Sequence, residues 1–394
     1  ANQFIFYLLD ENDNILQTKK NDSSGNVTFD PLSYEETDVR EDPYIYKVQE
    51  DIPTIKPGGY TEYDSSVWIV EVTVAYGVGH ELSVTQKTYC QDDESKENTA
   101  IAFTNRYEAE GSIVLEATKA FESNVQTQLQ DGQFEFIVIE NGNTVATGTN
   151  QGQKISFTPI AYRIDQNSIS DLGRHEYTVK EVAGNDNAVF YDDTEYTVVV
   201  EVTDNGDGTL KAEVTSITSG AEVKEEIKFV NDVTKVQISK KDITNSKELP
   251  GAALEIRDKN GDVVESWISG DEPHYIEAKL EAGKTYTLIE TAAPNGYTTT
   301  KEIEFTVNNS GEILTVVMED APSEVTISKV DIKDTAQELP GATLQILDEN
   351  GDVVTTIYNE RLEWTTTDEP KMIKGLLDGT YTLHEKEAPD GYTQ

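Results

Sequence analysis

Apolar and polar residues alternate along most of this chain with a period of two, the pattern of strands that bury one face. Trp68-Ile-Val-Glu-Val-Thr-Val74 and Glu195-Tyr-Thr-Val-Val-Val-Glu-Val202 show it best, in the β-branched and aromatic residues that suit a pleated surface. Helical periodicity is nearly absent. Turn-forming clusters separate the runs: Asp10-Glu-Asn-Asp-Asn14, Asn205-Gly-Asp-Gly208, Lys259-Asn-Gly-Asp262 and Glu349-Asn-Gly-Asp352, the last two predicting tight hairpins. The pattern predicts an all-β protein.

Two kinds of internal repeat organise the chain, each present twice. The first kind opens with Phe4-Ile-Phe6 or Phe134-Glu-Phe136 and continues with Tyr46-Lys-Val-Gln-Glu50 or Tyr177-Thr-Val-Lys-Glu181. A Tyr-Asp step and a Val-rich strand follow, and Phe103-Thr-Asn105 or Phe229-Val-Asn231 closes the unit. These delimit residues 1–107 and 108–233. The second kind reads Val236-Gln-Ile-Ser-Lys-Lys-Asp242, Glu248-Leu-Pro-Gly-Ala252 and Tyr286-Thr-Leu-Ile-Glu290, and again Val325-Thr-Ile-Ser-Lys-Val-Asp331, Glu338-Leu-Pro-Gly-Ala342 and Tyr381-Thr-Leu-His-Glu385. These delimit 234–321 and 322–394. From Lys240 to Lys329 the repeat is 89 residues, room for a sandwich of about seven short strands. The first unit is expected to lack its first strand and the last unit its final strands, to be supplied by the parent chain or a neighbouring subunit.

Side chains alternate between the faces of a strand, so residue parity predicts which charged groups share the core side. In the third unit Lys240 is in phase with Val236 and Ile238, Glu290 with Tyr286 and Leu288, and Asp320 with Leu314, Val316 and Met318. In the second, Lys119 is in phase with Ile113, Leu115 and Ala117, Glu181 with Tyr177 and Val179, and Asn231 with Ile227 and Phe229. The outer units keep partial sets: Glu50 and Asn105 in the first, Lys329 and Glu385 in the fourth.

Charged groups in an apolar core lose hydration worth about several kcal/mol each. A buried ion pair, or polar residues at sheet rims where parity is a poor guide, is one reading of such a cluster. The other is chemistry, favoured by recurrence across two repeat types. Desolvation lowers a buried Lys pKa and raises a buried Glu pKa, giving a neutral amine beside a protonated acid. That amine would attack the Asn or Asp side-chain carbonyl while the Glu hydrogen-bonds the carbonyl oxygen and shuttles protons, releasing ammonia or water.

Composition narrows the partners. Lys and Arg total 31 against 74 Asp and Glu, a net charge of −43, which argues against nucleic acid and anionic membranes. The 19 Tyr and 11 Phe argue for packed cores over disorder. The single cysteine, Cys90, cannot form an internal disulfide, reads as a lone surface residue and is assigned no role. No apolar stretch approaches the ~20 residues of a membrane helix, so no membrane insertion is expected. Ala1 opens no signal-peptide pattern, and no Leu-Pro-x-Thr-Gly sorting signal is present, so any such signals are expected outside this chain. Asp204-Asn-Gly-Asp-Gly208 reads as a turn rather than a calcium loop. His80, His175, His274 and His384 have no metal-ligand spacing, so no metal or cofactor is expected. No motif of a multiple-turnover enzyme is found.

Residues 234–321 resemble the B-type (SpaA-like) repeat of collagen adhesins and pilins, above all the fibronectin-binding-protein domain from which split peptide-tagging systems were engineered. Ile-Ser-Lys-Lys-Asp, Glu-Leu-Pro-Gly-Ala and Tyr-Thr-Leu-Ile-Glu-Thr-Ala-Ala-Pro-Asn-Gly-Tyr carry the likeness, and residues 322–394 resemble the same repeat without its last strands. Residues 1–233 resemble the isopeptide-linkage domain of streptococcal-type major pilins through Ala-Thr-Lys-Ala-Phe, Tyr-Thr-Val-Lys-Glu and Phe-Val-Asn-Asp. The resemblance implies immunoglobulin-like sandwiches in a rod. It implies a Lys240–Asp320 bond with Glu290 as catalytic acid, and a Lys119–Asn231 bond with Glu181 assisting. Glu50 and Glu385 would be the corresponding acids of the outer units, leaving Asn105 and Lys329 unpaired in this chain. The implied role is the extracellular, cell-wall-attached stalk of a Gram-positive pilus or adhesin, a sortase substrate that meets neighbouring subunits. The alternative is an adhesin whose loops bind a host matrix protein.

Overall fold

The computed structural model describes residues 3–122, 127–165 and 169–393 of the 394-residue chain. Its strands run from Ile5–Leu9 to Thr382–Glu387; among the described residues there is no α-helix, only the 3₁₀ turns Glu36–Asp38 and Glu94–Lys96. Alternation in the sequence becomes alternation in burial. In Glu195–Asp204, for example, Tyr196, Val198, Val200 and Val202 are buried while their neighbours face outward.

Among the described residues the apolar side chains collect into four separate clusters. The first, around Leu8, Val48 and Trp68, lies under a five-stranded antiparallel sheet in the order Ile15–Lys20, Ile5–Leu9, Tyr44–Glu50, Trp68–Tyr76, Leu82–Cys90. The second is the largest, with Phe134, Phe136, Tyr177 and Phe229 at its centre, wrapped by a ten-stranded sheet. The third fills the space between a three-stranded and a four-stranded sheet, the seven strands expected for this repeat. The fourth is small, built around Ile346, Leu362 and Ile373.

One feature of the two middle units positions the chemistry. Most strand pairs are antiparallel, but Glu116–Phe121 pairs in parallel with Lys228–Val233, and Lys235–Asp242 pairs in parallel with Ile313–Asp320. Lys119 is in register with Phe229, and Lys240 with Met318. Asn231 and Asp320 each lie two residues past that partner, so each shares a face with the lysine on the adjoining strand.

Two sequence expectations change. Cys90 is not a surface residue: it ends Leu82–Cys90 opposite Trp68, is only 2% exposed, and packs as a small hydrophobe. Ile113 is not on the Lys119 strand, because Ala109–Ile113 forms a separate ribbon with Ile160–Ile164 and the chain breaks before Glu116. The Asp204–Gly208 segment is the expected turn, but it is also a contact surface. Tyr107 Oη donates to Asp204 Oδ1 at 2.7 Å and accepts from the Gly208 N–H at 3.2 Å. The Gly208 carbonyl accepts from the Glu110 N–H at 3.1 Å.

Gly58 permits this approach, since a Cβ there would sit 2.0 Å from the Asp207 carbonyl oxygen. Gly58→Ala is therefore expected to open the junction and speed hydrogen exchange of the Glu110 amide, while the melting of the second unit barely changes. Unchanged exchange at Glu110 would show that backbone proximity at Gly58 does not hold this turn in place.

Candidate cross-linking sites

The second unit buries Lys119, Glu181 and Asn231 together. Lys119 Nζ lies 2.9 Å from Glu181 Oε2, and both side chains are fully buried. The other Glu181 oxygen, Oε1, accepts from Asn231 Nδ2 at 2.8 Å. One carboxyl group thus bridges an amine and a carboxamide. Phe134 closes the site, its ring centroid 4.8 Å from Lys119 Nζ and its edges against Phe121 and Tyr191. Burial pushes the Lys119 pKa down, only partly opposed by the Glu181 hydrogen bond and charge. This favours the neutral amine, which is nucleophilic.

The sequence reading put the assisting Glu on the acceptor's carbonyl oxygen. Here that oxygen, Asn231 Oδ1, accepts instead from the main-chain N–H of Asp192 at 2.7 Å. Glu181 faces the amide nitrogen, the atom that would leave. Asp192 was missed because its contribution is a backbone donor; the available signal was the Tyr-Asp step before each Val-rich strand, Tyr63-Asp64 and Tyr191-Asp192.

The third unit has the same parts in a tighter arrangement. Lys240 Nζ contacts Asp320 Oδ1 directly and lies 3.0 Å from Glu290 Oε1, with all three side chains at most 1% exposed. The second contact is electrostatic rather than a directed hydrogen bond. Glu290 Oε2 accepts from the Thr300 N–H at 2.8 Å. Asp320 Oδ2 is buried without a hydrogen-bond partner among the described residues. Burial raises the Asp320 pKa to about 6, against the pull of Lys240 and helped by the Glu290 carboxyl. A protonated Asp320 is the form that can lose water to an amine.

The outer units hold partial sites. In the first, Asn105 Nδ2 donates to Glu50 Oε1 at 2.7 Å, and Asn105 Oδ1 accepts from the Asp64 N–H at 2.9 Å. Glu50 Oε2, equivalent to the oxygen that meets Lys119 in the second unit, is buried without a hydrogen-bond partner among the described residues. Burial raises the Glu50 pKa. In the fourth unit Lys329 Nζ lies 3.1 Å from Glu385 Oε1, but the side chains remain 28% and 21% exposed. The in-phase Leu383 is 50% exposed, so the face that parity assigned to a core is largely open. Among the described residues Glu324–Ile327 pairs only with Lys371–Lys374, whereas Lys235–Asp242 is flanked on both sides. Among the described residues no group of three or more His, Cys, Asp or Glu could hold a metal ion.

A carboxyl whose folded pKa lies above its unfolded value adds stability at low pH and loses it as pH rises through the folded pKa. For Asp320 the window runs from the model-peptide value of 3.8 to about 6. We expect Glu290→Gln to lose stability relative to Glu290→Gln/Asp320→Asn as pH rises from about 4 towards 6, because Asp320 ionises more readily in the unfolded chain than in the buried site. Thermal melts across that range check it.

Two family models match the chain. The Spy0128-like isopeptide containing domain (FctA) matches residues 1–108 and 115–234, together more than half of the sequence. The SpaA prealbumin-like fold domain matches 234–322 and 323–394. No curated protein matches. Among solved structures, the Bacillus anthracis TIE protein is 20% identical at a TM-score of 0.35; the match covers 98% of this chain, which spans 61% of that one. A streptococcal ancillary pilin is 16% identical, covering 72% of this chain and 92% of its own, at a TM-score of 0.29. The shaft pilin spaA of Lactobacillus rhamnosus GG is 14% identical, covering 54% and 98%, at a TM-score of 0.28. Neither matching family is one of enzymes. The chain belongs to the family of the Spy0128-like isopeptide containing domain, and its residues 234–322 and 323–394 each match the SpaA prealbumin-like fold domain.

Proposed function

We propose that this chain is a load-bearing stalk segment of a Gram-positive cell-surface pilus or adhesin, extracellular and attached to the cell wall. Four domains, 1–107, 108–233, 234–321 and 322–394, would act in series. The two middle ones lock themselves once and for all. In the second, the neutral Lys119 amine attacks the Asn231 side-chain carbon; Glu181 takes the amine proton and returns it to the departing nitrogen, leaving an amide and ammonia. In the third, Lys240 and Asp320 condense to an amide and water, with Glu290 relaying the proton. The observation that supports this reading is the contact of a fully buried lysine with a buried carboxyl beside an Asn or Asp, in two different domain types.

A second reading concerns the first domain and rests on Glu50 Oε2. Among the described residues, 101–105 have no strand partner, whereas the matching 227–231 region lies beside Glu116–Phe121. We propose that a lysine-bearing strand from elsewhere in the parent chain or from a neighbouring subunit completes this site. Lys329 and Glu385, in contact at 3.1 Å, would be the complementary half, a lysine with its acid.

Pulling the full chain from its ends separates the two readings of role. With the Lys119–Asn231 bond in place, force bypasses residues 120–230 and they stay folded. Glu181→Ala is expected to release them, adding about 3.3–3.6 Å per residue to the extended length. It should also lower stability by about 4–5 kcal/mol, the loop-entropy value for a cross-link spanning roughly 100 residues. Full extension of the unsubstituted chain, or saturable binding to a matrix protein that loop substitutions abolish, would favour the adhesin instead.

A further inference from the structure

The Tyr-Asp step before each Val-rich strand makes the same set of contacts in both Asn-bearing units. Asp192 donates its main-chain N–H to Asn231 Oδ1 at 2.7 Å. Its own carboxylate accepts from the Thr194 N–H at 2.9 Å and from the Val230 N–H at 2.6 Å. In the first unit, Asp64 donates its N–H to Asn105 Oδ1 at 2.9 Å, and its carboxylate accepts from the N–H groups of Ser66 at 2.9 Å and Thr104 at 2.8 Å. Burial raises the Asp64 pKa, but the hydrogen bonds from Ser66 and Thr104 outweigh it and hold the carboxyl below its usual value. In each case the carboxylate ties the turn to the residue just before the acceptor Asn, and the tie aims one N–H at the acceptor carbonyl. The Asp acceptor of the third unit has no such donor among the described residues; its Oδ2 is unpartnered.

We infer that the Asp192 main-chain N–H is an oxyanion donor for amide formation at Asn231, and that the Asp192 carboxylate is the positioning group that holds it there, with Asp64 set to do the same at Asn105. This rests on the linking reaction proposed above. When the Lys119 amine adds to the Asn231 side-chain carbon, the C=O bond opens and negative charge gathers on Oδ1. A fixed N–H at hydrogen-bond distance stabilises that charge without reorganisation. The same bond also settles which end of the carboxamide faces Glu181. With Oδ1 held by Asp192, Nδ2 must point at Glu181, so the nitrogen that leaves as ammonia is the one beside the proton relay. A carboxamide turned the other way would present its oxygen to Glu181 and strand the leaving group.

The test follows the mass of the full chain made by cell-free synthesis, sampled over time and across pH, with the Asp192→Asn variant beside it. A third chain carries the α-hydroxy analogue of Asp at residue 192, which replaces the amide N–H by an ester oxygen and deletes the donor alone. Loss of one such donor slows related acyl chemistry about 10²–10³-fold. We expect a slowing of that order in the ester chain and a smaller one in Asp192→Asn. In both, the pH midpoint of the ammonia-releasing step should stay where the unsubstituted chain has it. A purely structural role would loosen the core and rehydrate Lys119, moving that midpoint upward; this outcome, or an unchanged rate in the ester chain, overturns the inference. Absence of ammonia release from the unsubstituted chain would overturn the linking reaction itself. The ester chain also covers the case in which Asp192→Asn fails to fold.

Discussion

A lysine ammonium cannot be moved into the middle of a β-sandwich unless something replaces its lost hydration. The structure does this twice, at Lys119 and Lys240, and most of the surrounding architecture follows from it. Each amine is met by a carboxyl from an interior strand of a sheet, and at Lys119 the Phe134 ring closes the site. Removing one member of a buried charged set typically destabilises by about 3–5 kcal/mol, because the remaining charge is stranded. An amide bond removes the problem, since its product carries no charge.

What brings the lysine and its acceptor together is the parallel pairing of an early strand of a unit with its last one. Antiparallel hairpins join sequence neighbours, but the parallel pair joins residues far apart: Lys119 to the 228–233 strand, Lys240 to the 313–320 strand. The two-residue offset puts the acceptor on the lysine's face in both domain types, although one acceptor is Asn and the other Asp. A bond at that place ties the start of a domain to its end, where tension along a chain of such domains would enter and leave. The outer units illustrate the dependence. Among the described residues neither shows such a parallel pair: in the first a carboxyl oxygen is buried without a hydrogen-bond partner, and in the fourth Lys329 and Glu385 stay partly in solvent.

Much of this was legible in the sequence because strands have a period of two. Parity alone put Lys119 with Leu115 and Ala117, Glu181 with Tyr177 and Val179, and Asn231 with Phe229, and all of these are buried. Parity tells which face a residue shares, not whether anything covers that face, which is why Leu383 and Glu385 could not be told from their buried counterparts. Cys90 was misread because its burial comes from Trp68 across the sheet, a neighbour that local sequence does not reveal. Asp192 and Asp64 were missed for a different reason: the repeated Tyr-Asp step marked their positions, but the direction of a backbone N–H is set by a turn, on which a side-chain pattern is silent.

The account stands or falls on covalent bonds, and the intact mass of the denatured full chain tests them most directly. The account predicts a mass below that of the sequence by one ammonia and one water, with the ammonia deficit absent in Glu181→Ala and the water deficit absent in Glu290→Ala. A mass equal to that of the sequence would contradict it and leave buried ion pairs in both cores.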